Sequence, residues 1–581
     1  MLGMADSTGY TGCCAAIRSQ DIFETVTLVD ASTLVVSGMP DPTTPHLHKQ
    51  ALANAIGSAI RVMLDAAYLS TRTSQKHYWP SFTPVSNHNR RREEMLDTKL
   101  IAAEHLEGRL FTGVWEDGAR SIDVIEPATG QVLAKVGMTD PAGIATAAAS
   151  ARSAQKAWAA TAPDDRASLF FRAVELGRKH WNEIVSWIIR ESGSVKAKAE
   201  FELTISLKAI QLAGGMPHQA QGLVLPSEPG RTSLARRRPL GVIGVISPFN
   251  FPLYLAMRAV APALAVGNAV VLKPDPRTAI CGGFVIARLF ELAGLPAGIL
   301  QVLPGDGAAG EALCTNSNIA MIQFTGSTKA GRMVGRTASE HLKKVSLELG
   351  GKNSLIILDD ADLDLALRNA SWAAYLHQGQ ICMSAGRILV HESIAVDFAM
   401  KLAERAAALP MGDPNIAEVA IGPMINASQR DHAVKIIEAS VAAGATLLTG
   451  GTADGLFIRP AVLTDVTATM PAYMEEIFGP VAVITTFATD AEAITLANDT
   501  DYGLSAAIIS KNIGRAIAMS DHIHSGLLHI NDQTVNDDVT NPFGGVGASG
   551  NGTSIGGPAN WEEFTHWQWV TIKSAPPAYP F

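Results

Sequence analysis

A thiol in a polar, glycine-bearing loop is the first candidate for chemistry. Cys382 stands in His377-Gln378-Gly379-Gln380-Ile381-Cys382-Met383-Ser384, after a stretch, Leu363–Tyr375, that reads as a helix. A cysteine is most often a small buried hydrophobe, and Cys281 and Cys314, set in helical apolar patterns, fit that description. Cys382 does not. A thiolate nucleophile needs an oxyanion donor, a base and usually an electrophilic cofactor. Asn250, in Ser247-Pro248-Phe249-Asn250-Phe251-Pro252, follows the β-branched run Val242–Ile246, at the carboxyl end of a strand where α/β ligand crevices form. Asn in such a turn is also an ordinary turn former. Glu348, in Leu347-Glu348-Leu349-Gly350-Gly351-Lys352, lies between apolar neighbours. A lone Glu is usually solvated, but an apolar site would raise its pKa toward that of a general base.

Anion-binding candidates come next. Phe324-Thr325-Gly326-Ser327-Thr328-Lys329-Ala330-Gly331 sets a glycine turn between a strand and a helix, where backbone N–H groups would face a pyrophosphate. It is not the G-x-G-x-x-G fingerprint. Lys273 ends a strand, where its cation could meet phosphate or ribose or simply be solvated. Glu475-Glu476-Ile477-Phe478-Gly479-Pro480 joins carboxylates to an aromatic, and also reads as a helix ending in a Gly-Pro stop.

The elements that must position these groups alternate in type. Residues 121–125 and 132–136 read as paired strands around Pro127-Ala128-Thr129-Gly130, and Asp140-Pro141 as the N-cap and first residue of an Ala-rich helix. Short β-branched runs recur at 242–246, 269–272, 299–302, 321–324 and 355–358, with helical stretches such as 280–292 and 329–337 between them. A similar alternation runs from 388 to about 530. Strand, helix, strand repeated this way predicts a parallel sheet covered by helices, here two α/β domains with a crevice between them.

Composition sets the frame. A length of 581 residues suggests three or four domains at about one per 150. With 47% hydrophobic and 17% charged residues the chain is globular, and its net charge of −9 argues against capture of nucleic acid or anionic lipid. The most apolar stretch, 259–272, is too short to span a membrane and carries Pro262, Gly267 and Asn268. No secretory signal precedes it, and the 5 cysteines have neither metal spacing nor the look of a disulfide framework. A cytoplasmic, metal-free enzyme with free thiols is expected. Residues 1–94 differ: acids and bases balance, Pro and His are scattered, and Arg90-Arg91-Arg92-Glu93-Glu94 precedes Met95. They read as an unstructured leader or a misassigned start, with one amphipathic helix over residues 52–69 and no strand alternating with it.

Taken together, the motifs from about residue 108 to 572 resemble the aldehyde dehydrogenase superfamily in order and spacing, with 23 residues from Asn250 to Lys273 and 34 from Glu348 to Cys382. The resemblance implies a Rossmann-like NAD(P)-binding domain (95–220 and 239–347), a second α/β catalytic domain (348–551) and a small β oligomerisation arm (221–238 and 552–581). It implies that Cys382 attacks an aldehyde, that Asn250 donates to the oxyanion, and that Glu348 activates the water that hydrolyses the thioester. Lys273 is expected on the adenosine ribose, Gly326 and Ser327 near the pyrophosphate, and Glu476 with Phe478 around the nicotinamide ribose. Members that pass the acyl group to coenzyme A generally lack the base at Glu348, so a free acid is the expected product. NAD is the expected cofactor. Pro276 stands where many NAD-preferring members have Glu, which admits NADP, and Arg277 could attract a 2′-phosphate.

Within the superfamily, Ser-Pro-Phe-Asn-Phe-Pro-Leu-Tyr, Lys-Pro-Asp-Pro-Arg-Thr and His-Gln-Gly-Gln-Ile-Cys-Met-Ser resemble the benzaldehyde, vanillin and salicylaldehyde dehydrogenase group. A small aromatic aldehyde is the implied substrate. If Asn250 opens a helix, Tyr254 and Arg258 lie one and two turns on, where they would meet the ring or its oxygens, with Trp372 and Tyr375 as apolar wall. Arg258 reads equally well as half of a structural ion pair. The alternatives are an aliphatic or semialdehyde dehydrogenase of the same fold, and a noncatalytic member that keeps only the scaffold. The hairpin at 221–238 and the Trp-rich run from Trp561 to Val570 predict a homodimer or homotetramer, because an exposed aromatic strand needs a cover.

Overall fold

The computed structural model describes residues 34–38, 60–64 and 99–581. The chain divides into two units, Met1–Arg92 and Glu93–Phe581. In the first, Leu34–Gly38 and Ile60–Leu64 pair as parallel strands. This overturns the helix expected over residues 52–69 at its middle and the absence of strands there; the rest of that stretch, like Cys13 and Cys14, lies outside the described residues. The sequence carried both patterns, since Ile60, Val62 and Leu64 also alternate at period two with β-branched members.

The second unit contains two seven-stranded sheets. The first runs, in spatial order, Lys344–Glu348, Met321–Thr325, Val242–Ile246, Ala269–Lys273 and Leu300–Val302, all parallel, and is extended by antiparallel Arg109–Phe111 and Trp115–Asp117. Val242–Ile246 and Ala269–Lys273 are buried at every position. Helices cover both faces, which is why these strands are continuous apolar runs with no alternation. Chain order reverses between Val242–Ile246 and its neighbour Met321–Thr325. Connections from the two strands leave in opposite directions there, opening a crevice beyond their carboxyl ends.

The second sheet has the order Thr446–Thr449, Ala461–Thr464, Val481–Phe487, Arg387–His391, Ser354–Ile357, Ser505–Ile509 and Leu527–Ile530, parallel except at its first pair. A third, antiparallel sheet joins Gly222–Leu225, Arg231–Pro239 and Thr565–Lys573. The expected hairpin forms as Arg120–Ile125 against Val132–Met138. Asp140 caps the helix Pro141–Ala159 by accepting from Gly143 N at 2.8 Å. Among the described residues no helix is long and apolar enough to cross a membrane.

Candidate active site

The crevice at the strand reversal is a cavity of about 240 Å3. Phe249 and Asn250, just past Val242–Ile246, form one wall, and Gly326 and Ser327, just past Met321–Thr325, form another. Glu348, Cys382, Glu476 and Phe478 complete it. A second cavity, about 320 Å3, lies on the far side of the thiol, and Cys382 and Asn250 line both. The thiol therefore stands at a junction, with Glu348 on one side only.

Each of the three groups is held from the sequence outward. Cys382 follows the helix Leu363–Tyr375 through a strained turn: His377 and Gln378 adopt φ of 49° and 56°, and Gly379 follows at 67°. Two consecutive left-handed non-glycine residues persist only where surrounding contacts impose them. Gln378 Nε2 donates to Gly193 O at 3.2 Å, and Asn353 Nδ2 donates to Cys382 O and Ser384 O, each at 2.8 Å. Among the described cysteines Cys382 alone is not fully buried by area. Burial, and then the carboxylates of Glu476 and Glu348, still push its thiol up to about 12. Such a thiol is inert at neutral pH until charge or proton transfer in the site favours the thiolate.

Asn250 is buried and clamped from behind. Lys198 Nζ donates to its carbonyl at 2.7 Å, bonds Glu202 Oε2 at 2.5 Å, and sits 4.0 Å from the Phe251 ring centre. Glu202 Oε1 accepts from Leu253 N and Tyr254 N, two of the N–H groups left open at the start of the helix Pro252–Ala265. Glu348 ends its strand at 4% exposure, and neither carboxylate oxygen has a hydrogen-bond partner among the described residues. Burial raises its pKa well above the ordinary range, with Arg258 pulling the other way. Once ionised, a buried carboxylate with a raised pKa is a strong proton acceptor for a water placed beside it.

The 320 Å3 cavity is walled by Phe251, Leu255, Trp372, Ile381 and Phe543. Tyr254 and Arg258 line it, but neither is free: Tyr254 Oη and Arg258 NH1 both donate to Asp537 Oδ2, at 2.9 and 3.0 Å. Arg258 thus joins the structural ion pair and the cavity wall at once. Tyr375 is a correction. It is 2% exposed, packs in the core beside the second sheet and donates to Ala461 O at 3.0 Å. Trp372, three residues earlier, is 52% exposed. Three residues advance about 300° around a helix, so the two side chains point to neighbouring but different faces.

The site also fits a dinucleotide. Lys273 is 8% exposed, its ammonium has no hydrogen bond to any described residue, and it lines a further cavity of about 470 Å3 with Ile246, Gly310 and Phe324. Burial lowers its pKa, while Asp275 and Asp306 raise it. A buried cation without a partner calls for an anionic or hydroxylic ligand. Ser327 caps the helix Thr328–Glu340 by accepting from Ala330 N, so that helix points its N-terminus at the crevice. Glu476 is pushed up to about 7 by burial, against the Gly351 N–H and Lys352. Phe478, at φ 52°, meets Phe249 edge-on at 5.9 Å. Arg277, expected to be available to a phosphate, instead forks onto Asp275 at 2.8 and 2.6 Å and lies 4.3 Å from the Phe249 ring centre. No cluster that could hold a metal occurs among the described residues.

Residues 115–570 match the aldehyde dehydrogenase family. The chain belongs to that family. Among curated aldehyde dehydrogenases it is 51% identical to the vanillin dehydrogenase of an Amycolatopsis strain, over 82% of this chain and 98% of the relative. It is 44% identical to the NAD(+) benzaldehyde dehydrogenase of Pseudomonas putida, over the same shares. A crystal structure of salicylaldehyde dehydrogenase from Pseudomonas putida G7, complexed with salicylaldehyde, superposes at a TM-score of 0.79 with 32% identity, covering 82% of this chain and 99% of that one. The sequence reading of this aldehyde dehydrogenase missed Asn353, Lys198, Glu202 and Asp537. Asn353 stands one residue beyond the quoted Gly350-Gly351-Lys352 motif; the other three carry no local mark of burial.

Proposed function

We propose that this aldehyde dehydrogenase oxidises an aromatic aldehyde to its carboxylic acid with NAD as the preferred cofactor. One observation carries the reading: Cys382 and Asn250 are common to two cavities, of which one is largely apolar and aromatic and the other holds Glu348 with Gly326, Ser327, Glu476 and Phe478. Lys273, Gly326, Ser327, Glu476 and Phe478 would hold the dinucleotide, and its oxidised nicotinamide supplies the hydride acceptor. Cys382 adds to the aldehyde carbon as the thiolate, its proton already given up, and the carbonyl oxygen becomes an alkoxide that accepts from the Asn250 side-chain amide. That alkoxide makes the carbon a good hydride donor, and loss of hydride leaves an acyl thioester on the sulfur. Glu348 then takes a proton from water as its oxygen attacks the thioester, releasing the acid and the Cys382 thiolate. The relatives named for vanillin, benzaldehyde and salicylaldehyde support the aromatic class. The Arg277–Asp275 fork supports NAD, because the guanidinium already has a carboxylate.

The test is a kcat/KM panel of benzaldehyde, vanillin, succinic semialdehyde and hexanal. The aromatic pair is expected to lead by at least tenfold, and a lead for hexanal or the semialdehyde would overturn the aromatic assignment. Lys273→Ala is expected to raise the KM for the dinucleotide by about 10- to 100-fold, the worth of a charged hydrogen bond, with little change in the KM for aldehyde.

A cytoplasmic homo-oligomer completes the proposal. Thr565–Lys573 pairs with Arg231–Pro239 on one side and has no neighbour on the other among the described residues, with Trp567 at 45% and Trp569 at 67% exposure. Such an edge is a pairing surface. Trp567→Glu combined with Trp569→Glu is expected to reduce the mass seen by light scattering to that of a single chain.

A further inference from the structure

The substrate-side cavity is lined by a carboxylate, that of Asp537. Among the described residues that line it, Asp537 is the only acid; its side chain is 10% exposed. Its two protein hydrogen bonds, from Tyr254 Oη and Arg258 NH1, both end on Oδ2. Among the described residues none donates a hydrogen bond to Oδ1. The arrangement is rigid: the Arg258 guanidinium lies 4.2 Å from the Phe543 ring centre and 5.4 Å from that of Tyr254, and its NH2 donates to Ile555 O at 3.4 Å. Arg258 thus compensates the Asp537 charge without occupying its second oxygen. Asp537 also stands near enough for its charge to reach the Cys382 thiol.

We propose that Asp537 is a specificity-determining residue that selects ring-hydroxylated aromatic aldehydes, its Oδ1 accepting the hydrogen of a ring hydroxyl while Cys382 meets the aldehyde carbon. This rests on the aldehyde-oxidising role given to Cys382 above and adds to it a chemical class and the residue that reads it. A carboxylate paired with a guanidinium in a nearly dry wall makes a strong bond to a phenolic donor. A ring without the hydroxyl leaves that acceptor unmet, and sites built around a polar group reject the analogue that lacks its partner. A methoxy group has no hydrogen to give, and a ring carboxylate meets a like charge. The cavity, at about 320 Å3, is at the small end of ligand sites, which suits one substituted ring.

The experiment compares kcat/KM for 3- and 4-hydroxybenzaldehyde with their methoxy counterparts, in the wild type and in Asp537→Leu. The wild type is expected to favour the hydroxyl of at least one pair by about 10- to 100-fold, and Asp537→Leu is expected to bring that ratio near unity. A wild-type ratio near unity for both pairs overturns the proposal, as does a ratio that survives in Asp537→Leu. Should that variant fail to fold, inhibition of the wild type by the corresponding hydroxy- and methoxybenzyl alcohols decides: tighter binding of the hydroxy compound supports the role, and equal binding overturns it. If no aldehyde of either pair yields reduced cofactor, the dehydrogenase reading itself falls. Equal oxidation within both pairs sinks only the part given to Asp537.

Discussion

Glu348→Gln is expected to leave the first turnover and stop the second. Mixed with aldehyde and NAD, the variant should release one equivalent of NADH per site in a rapid burst, while steady turnover falls by about 10²- to 10⁴-fold, the usual worth of a general base. The geometry sets this asymmetry. Glu348 lines the 240 Å3 cavity proposed for the dinucleotide and not the 320 Å3 cavity proposed for the aldehyde, which suits it to the proposed water step. Its charge is also among the causes, after burial and Glu476, that hold the Cys382 thiol up at about 12. Removing it should move the pH midpoint of the burst downward, because the thiolate forms more easily. Loss of the burst together with turnover would instead mean that Glu348 also takes the thiol proton.

The same substitution has a stability signature. Burial raises the Glu348 pKa in the folded chain, so between the ordinary carboxylate range and that raised value the folded state keeps a proton that the unfolded state has released. Stability then falls as pH rises through that window. Glutamine does not titrate, so the thermal midpoint of Glu348→Gln is expected to gain on the wild type as pH is raised. Parallel midpoints across the window would show that the carboxylate is not desolvated.

What could be read from the sequence was whatever local chemistry marks. Val242–Ile246 and Met321–Thr325 are short β-branched runs because helices cover both faces, and Asn250 and Gly326 follow directly at their carboxyl ends. Cys382 stood out by its polar loop, and Glu348 by its apolar flanks. What could not be read was burial of charge by distant segments. Lys196 and Glu200 stand at the same i, i+4 spacing as Lys198 and Glu202, two residues along one helix. The first pair has side chains 65% and 43% exposed at 4.0 Å, and the second has both at 0% and 2.5 Å apart. No property of that helix alone separates the two. The difference is made by Phe251 and the Asn250 carbonyl, some 50 residues away. Asp537 was hidden in the same way, since its partners Tyr254 and Arg258 lie 283 and 279 positions earlier.

That buried pair supports the second large effect. Lys198→Met is expected to destabilise the chain by about 3–5 kcal/mol, because it leaves the Glu202 charge buried with only backbone N–H groups for company. A lysine at the surface would not do this: Lys196→Met, which breaks only an exposed ion pair, should fall within about 1 kcal/mol of the wild type. Replacing both partners, Lys198→Met with Glu202→Leu, should recover part of the loss, since apolar side chains of similar size can substitute for a buried ion pair. Recovery should be incomplete, because Leu253 N and Tyr254 N then lose their acceptor. Activity is expected to separate from stability in the double variant. The Asn250 carbonyl loses its anchor in either case, and the side chain on the same residue is the proposed oxyanion donor, worth about 3 kcal/mol when well placed. The folded double variant should therefore show a kcat reduced by up to several hundredfold with the KM for dinucleotide little changed. A double variant with wild-type kcat would show that Asn250 is held without its clamp.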